Sequence, residues 1–594
     1  MIRTPLRPLA RILDARQKGQ NPDAIERENV RIRHEQMRDA ARIRAEGRLL
    51  VLAGLFLLGF MAIGARMGAL SASEPSEPRA QGAGASIIAQ RADIVDRKGR
   101  MLATNMDTFS LYAHPQQMID APAAIDGLLK IFPDLKRERL EKDFLGKRKF
   151  VWVKKKLSPE QKQAVHDLGE PGLLFGPREM RLYPNGALAA HVLGGAQFGK
   201  EGVHAAEVLG VAGVEKVFDE ALRDPANGGR PLQVSLDLTV QAASEEVLWG
   251  GMKLLNAKGA SSVLMDVRTG EVISIVSLPD FDPNNRPRPP VEGAPDDSPL
   301  FNRAVQGVYE LGSVFKIFTV AQALDLGLVN AATPINTSTP IKIGGFTIKE
   351  FKNKDYGTIS VSDVLVKSSN RGTGRLALQI GAKRQKAFLD ALGFFDPTPF
   401  EIFEARAGKP LLPKRWGDLS TVTISYGHGL SSSPLHLAAG YAAIANGGYA
   451  VRPTILKQPG PVLGPRVMSP AAAEQARAML RKVVTEGTAS FGEVPGYHVG
   501  GKTGSADKPK PRGGYYTDRL ISTFASIFPA HDPAYVLVVT FDEPVETSGE
   551  KPRRTAGWTA VPVAAEMIGR IAPLLGLRPD VTPGQLPGIT LTGN

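Results

Sequence analysis

The spacing of apolar and polar positions divides the chain into stretches of different kinds. Leu49 to Ala65 reads LLVLAGLFLLGFMAIGA, seventeen residues without a charge, the short end of what a membrane-spanning helix needs. Met67–Leu70 adds a further turn, because Arg66 can carry its guanidinium to the interface along its own methylenes. The run stands alone between a charged tail and a polar stretch, which argues against a buried core helix. Before it, Glu26–Arg48 intersperses acidic and basic residues and predicts a charged helix. After it, residues 71–85 (SASEPSEPRAQGAGA) read as a linker. From Ser86 to about Ser235 the pattern is mixed and broken by Gly and Pro. It includes a Lys/Arg-rich stretch, Leu135–Lys156, that predicts helix.

A second pattern begins near Leu236. Asp237–Ala257 (DLTVQAASEEVLWGGMKLLNA) is amphipathic, with Asp237 placed as its N-cap. Two β-rich runs flank Arg268-Thr269-Gly270 in SSVLMDVRTGEVISIVSLP and predict a hairpin. LISTFASIFPA (520–530) and YVLVVTFDEP (535–544) predict two more strands, and VPVAAEMIGRIAPLLGL (561–577) a closing apolar helix. Helices lie between the early and late strands, the order of an α/β sandwich built on an antiparallel sheet. The expected fold is α+β and multidomain. It comprises a basic tail (1–48), a transmembrane anchor (49–70), a linker (71–85), a mixed domain (86–235), a larger domain (236–577) and a flexible tail (578–594). No internal repeat is present.

Composition changes this picture little. Hydrophobic residues make up 43% and charged residues 22% of the 594, ordinary for globular domains with a sizeable core. There is no cysteine, which excludes disulfides, thiolate metal sites and a cysteine nucleophile. The net charge is +13, of which residues 1–48 hold +5, from 12 basic and 7 acidic residues. No recognition motif with interleaved aromatics points to nucleic acid, whereas an anionic membrane or an acidic wall polymer suits the charge. The basic residues ahead of Leu49 put the N-terminus in the cytoplasm and the remainder across the membrane. The leader is too long for a cleaved signal peptide, with processing near Ala69–Ser73 as the alternative.

Three short motifs carry chemistry. Ser-x-x-Lys occurs at Ser313, Ser505 and Ser548, but only Ser313-Val314-Phe315-Lys316 opens a strong helical pattern, SVFKIFTVAQALDL, ending at Gly327. Spacing i, i+3 stacks Ser313 and Lys316 on one helical face. A serine at a helix N-terminus sits in positive potential, and a desolvated lysine beside it can serve as a base. Taken alone, the motif more often describes an N-cap serine and an ordinary lysine. Ser368-Ser369-Asn370 is the one Ser-x-Asn, and Lys502-Thr503-Gly504 the one Lys-Thr-Gly, following the strand-like YHVGG. An active-site edge strand needs a lysine for charge, a hydroxyl to bind substrate and a glycine where substrate approaches the backbone. No metal cluster such as HExxH is present among the nine histidines, and no cofactor is called for. His428 and His436 flank a helix start and read as structural, with substrate lining as the alternative.

In this order the motifs match the signature of serine β-lactamases and penicillin-binding proteins, and the chain resembles that superfamily. NRAVQGVYELGSVFK (302–316) resembles the nucleophile segment of class B penicillin-binding proteins. RADIVDRKGRMLA (91–103), LYPNGALAAHVLG (182–194) and GVAGVEKVFDEAL (210–222) resemble motifs of their pedestal (dimerisation) domain. SYGHGLSSSPLHLAAGYAAIANGG (425–448) and GKTGSADK are most similar to the septal, division-specific FtsI type. The resemblance spans roughly residues 86–575. The sequence departs from the family at Ala92 (usually Gly), Leu311 and Val314 (commonly Pro and Thr) and Ser505 (commonly Thr).

The resemblance implies a single N-terminal transmembrane helix, an elongated pedestal over 86–235 and a transpeptidase domain over 236–577, with no glycosyltransferase domain. It implies a peptidoglycan D,D-transpeptidase of the inner membrane whose catalytic domain is periplasmic. Ser313 attacks the penultimate D-alanine carbonyl of a stem peptide and Lys316 takes its proton. Ser368 relays a proton to the leaving amine, and Asn370 orients Lys316 and the substrate amide. Lys502 supports the positive field, and Thr503 binds the terminal carboxylate in the Lys-Thr-Gly strand that includes Gly504. The backbone N–H groups of Ser313 and Ser505 form an oxyanion hole. β-Lactams become covalent inhibitors, and a membrane glycosyltransferase and other division proteins become partners. The alternatives are the elongation-type class B transpeptidase and a non-catalytic division scaffold. More distant ones are a β-lactamase, a D,D-carboxypeptidase and a membrane β-lactam sensor.

Overall fold

A computed structural model describes residues 7–72, 91–201, 206–510 and 513–580. The chain forms two units, Met1–Glu77 and Pro78–Asn594. In the first, the charged stretch and the apolar run are not separate elements. One helix, Pro22–Ala72, carries both over 51 residues. The large apolar side chains from Leu49 to Ile63 are half or more exposed, and a run this apolar turned wholly outward calls for lipid. The chain is a single-pass membrane protein on this helix, the one among the described residues long and apolar enough to cross a bilayer. The expected linker residues 73–85 and the tail from 581 lie outside the described residues.

The second unit contains two five-stranded sheets. The first is organised by the 13-residue strand Met101–Ala113, paired antiparallel with Val151–Leu157, Leu173–Leu182 and Ile94–Val95. Leu232–Gln233 adds in parallel to Ile94–Val95. Here the structure corrects the helix expected over Leu135–Lys156. The helix is only Arg137–Phe144, and Val151–Leu157 is a strand. The density of lysine masked a β-branched and aromatic run, Val151-Trp152-Val153, whose valines join Leu157, Leu128 and Phe132 in a core.

The second sheet runs in the order Gly500–Pro509, Tyr515–Phe528, Tyr535–Asp542, Gly259–Asp266, Val272–Leu278, antiparallel throughout. The predicted hairpin around Thr269 and both late strands are therefore neighbours in one sheet. Its central strands are buried on both faces, as a helix-sheet-helix sandwich requires. Helices Leu238–Leu254 and Ala560–Leu574 pack together against the sheet, and Pro434–Ala445 and Pro470–Glu486 also lie on it. Asp237 caps the first helix as expected, accepting from the amides of Thr239 and Val240 at 3.0 and 3.4 Å. The same carboxylate pairs with Lys98 and Arg100, both at 2.7 Å. A cap worth about 1 kcal/mol thus also fastens the two sheets' regions together.

Candidate active site

Ser313 lies in a short 3-10 turn, Gly312–Phe315, that runs straight into helix Lys316–Asp325. It does not cap that helix, in contrast to the sequence expectation of a helix opening at Ser313. The chain bends tightly because Gly312 takes φ +64°, a left-handed value that side chains rarely adopt. The turn is pinned from several sides. The Gly312 amide donates to the Gly427 carbonyl at 3.1 Å. The buried Tyr441 phenol donates to the Val314 carbonyl at 2.8 Å. Phe315 is buried against the rings of Phe318 and Phe394. Such packing fixes the serine backbone before any substrate arrives.

The Lys-Thr-Gly motif lies on the edge strand of the second sheet, with Lys502, Thr503 and Gly504 opposite Ala525, Phe524 and Thr523. A Cβ on Gly504 would overlap the Leu311 carbonyl oxygen and stand 3.3 Å from the Val314 nitrogen. The glycine expected to admit substrate is thus required first by the nucleophile turn. From the other side, a Cβ on Gly312 would stand 3.0 Å from the Ser505 oxygen and 3.3 Å from its nitrogen. The backbones at residues 312 and 505 lie side by side. The Ser505 hydroxyl faces away from this seam and accepts from the Ala556 amide at 3.0 Å.

Ser368 connects the two motif lysines. Lys316 Nζ donates to the Ser368 carbonyl at 2.5 Å and to its Oγ at 3.0 Å. Lys502 Nζ donates to the same Oγ at 3.0 Å, and also to Thr503 O and Oγ1 at 3.1 and 3.3 Å. Thr503 Oγ1 in turn shares a 2.7 Å hydrogen bond with Thr488 Oγ1. Lys316, Ser368, Lys502, Thr503 and Thr488 therefore form one connected chain. Ser313 stands beside it, three residues before Lys316, with no hydrogen bond to that lysine, whose bonds go to Ser368. Catalytic hydrogen bonds commonly tighten only in the substrate complex.

Both lysines are fully buried. Burial holds the Lys316 ammonium far below its ordinary range, with the charge of Lys502 pushing the same way and Glu350 opposing. Burial brings Lys502 down to about 7. Two like charges on one hydroxyl in a dry site cannot both be comfortably protonated. Neutral pH therefore finds a lysine ready to accept a proton, the condition a general base must meet.

Ser368 itself is strained. Its φ is +58°, unusual for a residue with a side chain and worth about 1–3 kcal/mol. Glu350, missed in the sequence, explains how the loop tolerates this. Its buried carboxylate lies beneath the N-terminus of helix Asn370–Ile380. Oε1 accepts from Ser369 Oγ at 2.5 Å and the Arg371 amide at 3.0 Å, and Oε2 from the Asn370 amide at 2.8 Å. Amides at a helix start lack partners within the helix and favour a negative charge. Asn370 does not reach Lys316 as the resemblance implied. It begins that helix, and its Nδ2 donates to the Lys349 carbonyl at 3.0 Å. The available signal for Glu350 was faint: a single acid in the basic loop KEFKNK.

His436 is buried at the start of its helix, its Nε2 on the Asp396 carbonyl at 2.9 Å and its Nδ1 on Ser433 Oγ at 2.8 Å. Burial brings it to about 4, so it is a neutral group held in place by its two hydrogen bonds. His428 lies between two tyrosine rings, tilted to Tyr426 and edge-on to Tyr515.

Residues 260–565 match the penicillin binding protein transpeptidase domain, and residues 86–236 the penicillin-binding protein dimerisation domain. The chain is 35% identical over 556 residues to the probable peptidoglycan D,D-transpeptidase FtsI of Caulobacter vibrioides, covering 92% of this chain and 91% of that one. It is 27% identical over 561 residues to the peptidoglycan D,D-transpeptidase FtsI of Escherichia coli K12, covering 90% and 92%. Among solved structures it resembles penicillin binding protein 3 of Mycobacterium tuberculosis, complexed with aztreonam. The TM-score is 0.62 at 24% identity, over 83% of this chain and 98% of that one. With its Ser-x-x-Lys, Ser-x-Asn and Lys-Thr-Gly motifs gathered at one site and both domain models matched in order, the chain belongs to the class B penicillin-binding proteins of the FtsI type.

Proposed function

We propose that the transpeptidase activity of this family runs here through an acyl-enzyme on Ser313. The chain is a peptidoglycan D,D-transpeptidase and a β-lactam target, and its role is septal wall synthesis in cell division. The observation that carries the reading is the pair of buried lysines sharing the Ser368 hydroxyl next to the Ser313 turn.

Ser313 Oγ attacks the penultimate D-alanine carbonyl while Lys316 takes its proton. The Ser313 and Ser505 amides hold the oxyanion, each such donor worth about 3–4 kcal/mol in the transition state. Ser368, bonded to both lysines, passes the proton to the departing D-alanine amine. Thr503 receives the terminal carboxylate in the positive field that Lys502 supports, and Asn370 the substrate amide. A second stem peptide's amine then attacks the ester, freeing Ser313 and making the cross-link. In this reading residues 86–235 are a pedestal and 236–577 the transpeptidase domain. The N-terminus is cytoplasmic, the anchor crosses the inner membrane, and catalysis is periplasmic. A membrane glycosyltransferase supplies the glycan strands.

The test is labelling by a fluorescent penicillin. One label per chain that persists for many minutes, and its loss in Ser313→Ala, is the expected result. Full labelling of the variant would remove Ser313 as nucleophile, and rapid release with drug hydrolysis would make the protein a β-lactamase. Mid-cell rather than side-wall localisation of a tagged copy separates the septal role from the elongation one.

A further inference from the structure

We propose that Glu350 is the buried counter-charge behind Lys316, acting across the Ser368–Asn370 loop it also holds in place. The inference rests on the acyl-enzyme reading above. It makes Glu350 a positioning residue for the reaction, since it touches the loop and not the reacting atoms.

The groups facing Lys316 are few. Its Nζ meets the carbonyl and hydroxyl of Ser368. Lys502 approaches the same hydroxyl from the edge strand. Glu350 is the one acid among the charges that act on Lys316, and it opposes both burial and Lys502. The carboxylate is only 3% exposed, so water screens it weakly and its field reaches through the loop. Its direction is fixed by bonds to Ser369 Oγ and the amides of Asn370 and Arg371. A carboxylate needed only to cap the helix could sit at the surface, where caps usually do. This one comes from outside the helix, replaces the solvent those amides would otherwise have, and places a full negative charge behind the base.

The acylation step shows what that charge does. The Ser313 O–H proton passes to the lone pair of Lys316 Nζ as the Ser313 Oγ–carbonyl bond forms. The proton later leaves through Ser368 to the amine released when the C–N bond breaks. Between these events a buried ammonium sits beside Lys502. Without an anion behind it, that ammonium is repelled by its neighbour and unsolvated. Glu350 raises the affinity of Lys316 for the proton while leaving it free to release it, because no hydrogen bond joins the two groups directly. The same carboxylate bonds to the three residues that follow Ser368, whose φ is +58° and whose carbonyl and hydroxyl both face Lys316.

The experiment is the pH profile of fluorescent-penicillin acylation by the full chain in detergent, for wild type, Glu350→Gln and Glu350→Asp. The expected result for Glu350→Gln is an acid limb moved down by about one pH unit and a plateau about tenfold lower, because a nearby opposite charge favours the charged lysine by that order. Glu350→Asp keeps the charge, and its limb stays within about 0.3 unit of wild type although its plateau falls. A Glu350→Gln limb that does not move reduces Glu350 to a structural brace and overturns the proposal. So does a Glu350→Asp limb that moves by a unit or more, a result readable even if Glu350→Gln fails to fold. Absence of any label on wild type would instead break the acyl-enzyme reading itself.

Discussion

Two clusters of buried charge in this chain are handled in opposite ways. Beside the first sheet, Glu215 has no solvent exposure and receives two arginines, Arg91 at 2.6 Å and Arg181 at 2.7 Å. Arg91 also reaches Asp219 at 2.7 Å. Every charge there has an opposite partner in direct contact. At the motif site, Lys316 and Lys502 are equally buried, yet their hydrogen bonds go to hydroxyls and carbonyls and to no carboxylate. Pairing fixes protons in the first cluster. Withholding the pair loosens them in the second, and perturbed protonation of this kind marks a reactive site.

The contrast is broken most sharply at Lys316. Replacing it with methionine is expected to slow penicillin acylation by about 10²–10⁴-fold, the usual contribution of a positioned base. The thermal midpoint should hold or rise, since an apolar side chain replaces a buried polar amine that has no counter-ion contact. A large fall in midpoint would show that Lys316 is structural after all. Glu215→Gln should do the reverse. Removing that carboxylate leaves the buried Arg181 without its acid and Arg91 with Asp219 alone, at a cost of about 3–5 kcal/mol. Denaturant unfolding reads that loss, while residual folded protein should acylate at the wild-type rate.

The smallest effect is a slope with pH. Burial lowers Lys502 from its ordinary 10.5 to about 7 in the fold. Between these values the unfolded chain binds more protons than the native one. Stability should therefore rise with pH through this window, by at most about 1.4 kcal/mol per unit. It should be lost as pH falls back toward 7. Lys502→Met should flatten the dependence relative to wild type in parallel thermal melts. An unchanged slope would mean that Lys502 is solvated in the folded state.

Much of this was legible in the sequence because the chemistry is written locally. Ser313 and Lys316 must share a helical turn, and Lys502-Thr503-Gly504 must lie along a strand, so their spacing is visible without a structure. The antiparallel sheet and the Asp237 cap were equally plain from periodicity. What escaped depends on contacts distant in sequence. Glu350 matters because the chain folds back under Ser369, Asn370 and Arg371, nineteen residues and more away. Gly504 serves Leu311 and Val314, almost two hundred residues earlier in the chain, and no pattern around the motif reveals that. The strand at Val151 was hidden for a different reason: three consecutive lysines suggested helix while the apolar residues beside them alternated.

The unbroken helix Pro22–Ala72 has a mechanical corollary. At about 1.5 Å per residue its 51 residues extend for roughly 77 Å, whereas a bilayer's hydrocarbon takes up about 30 Å. The charged portion before Leu49 is therefore a stalk of about 40 Å standing clear of the lipid. An α-helix resists torsion along its whole length. Turning one end of an unbroken helix turns the other, so the orientation of the stalk and that of Ala72 are linked.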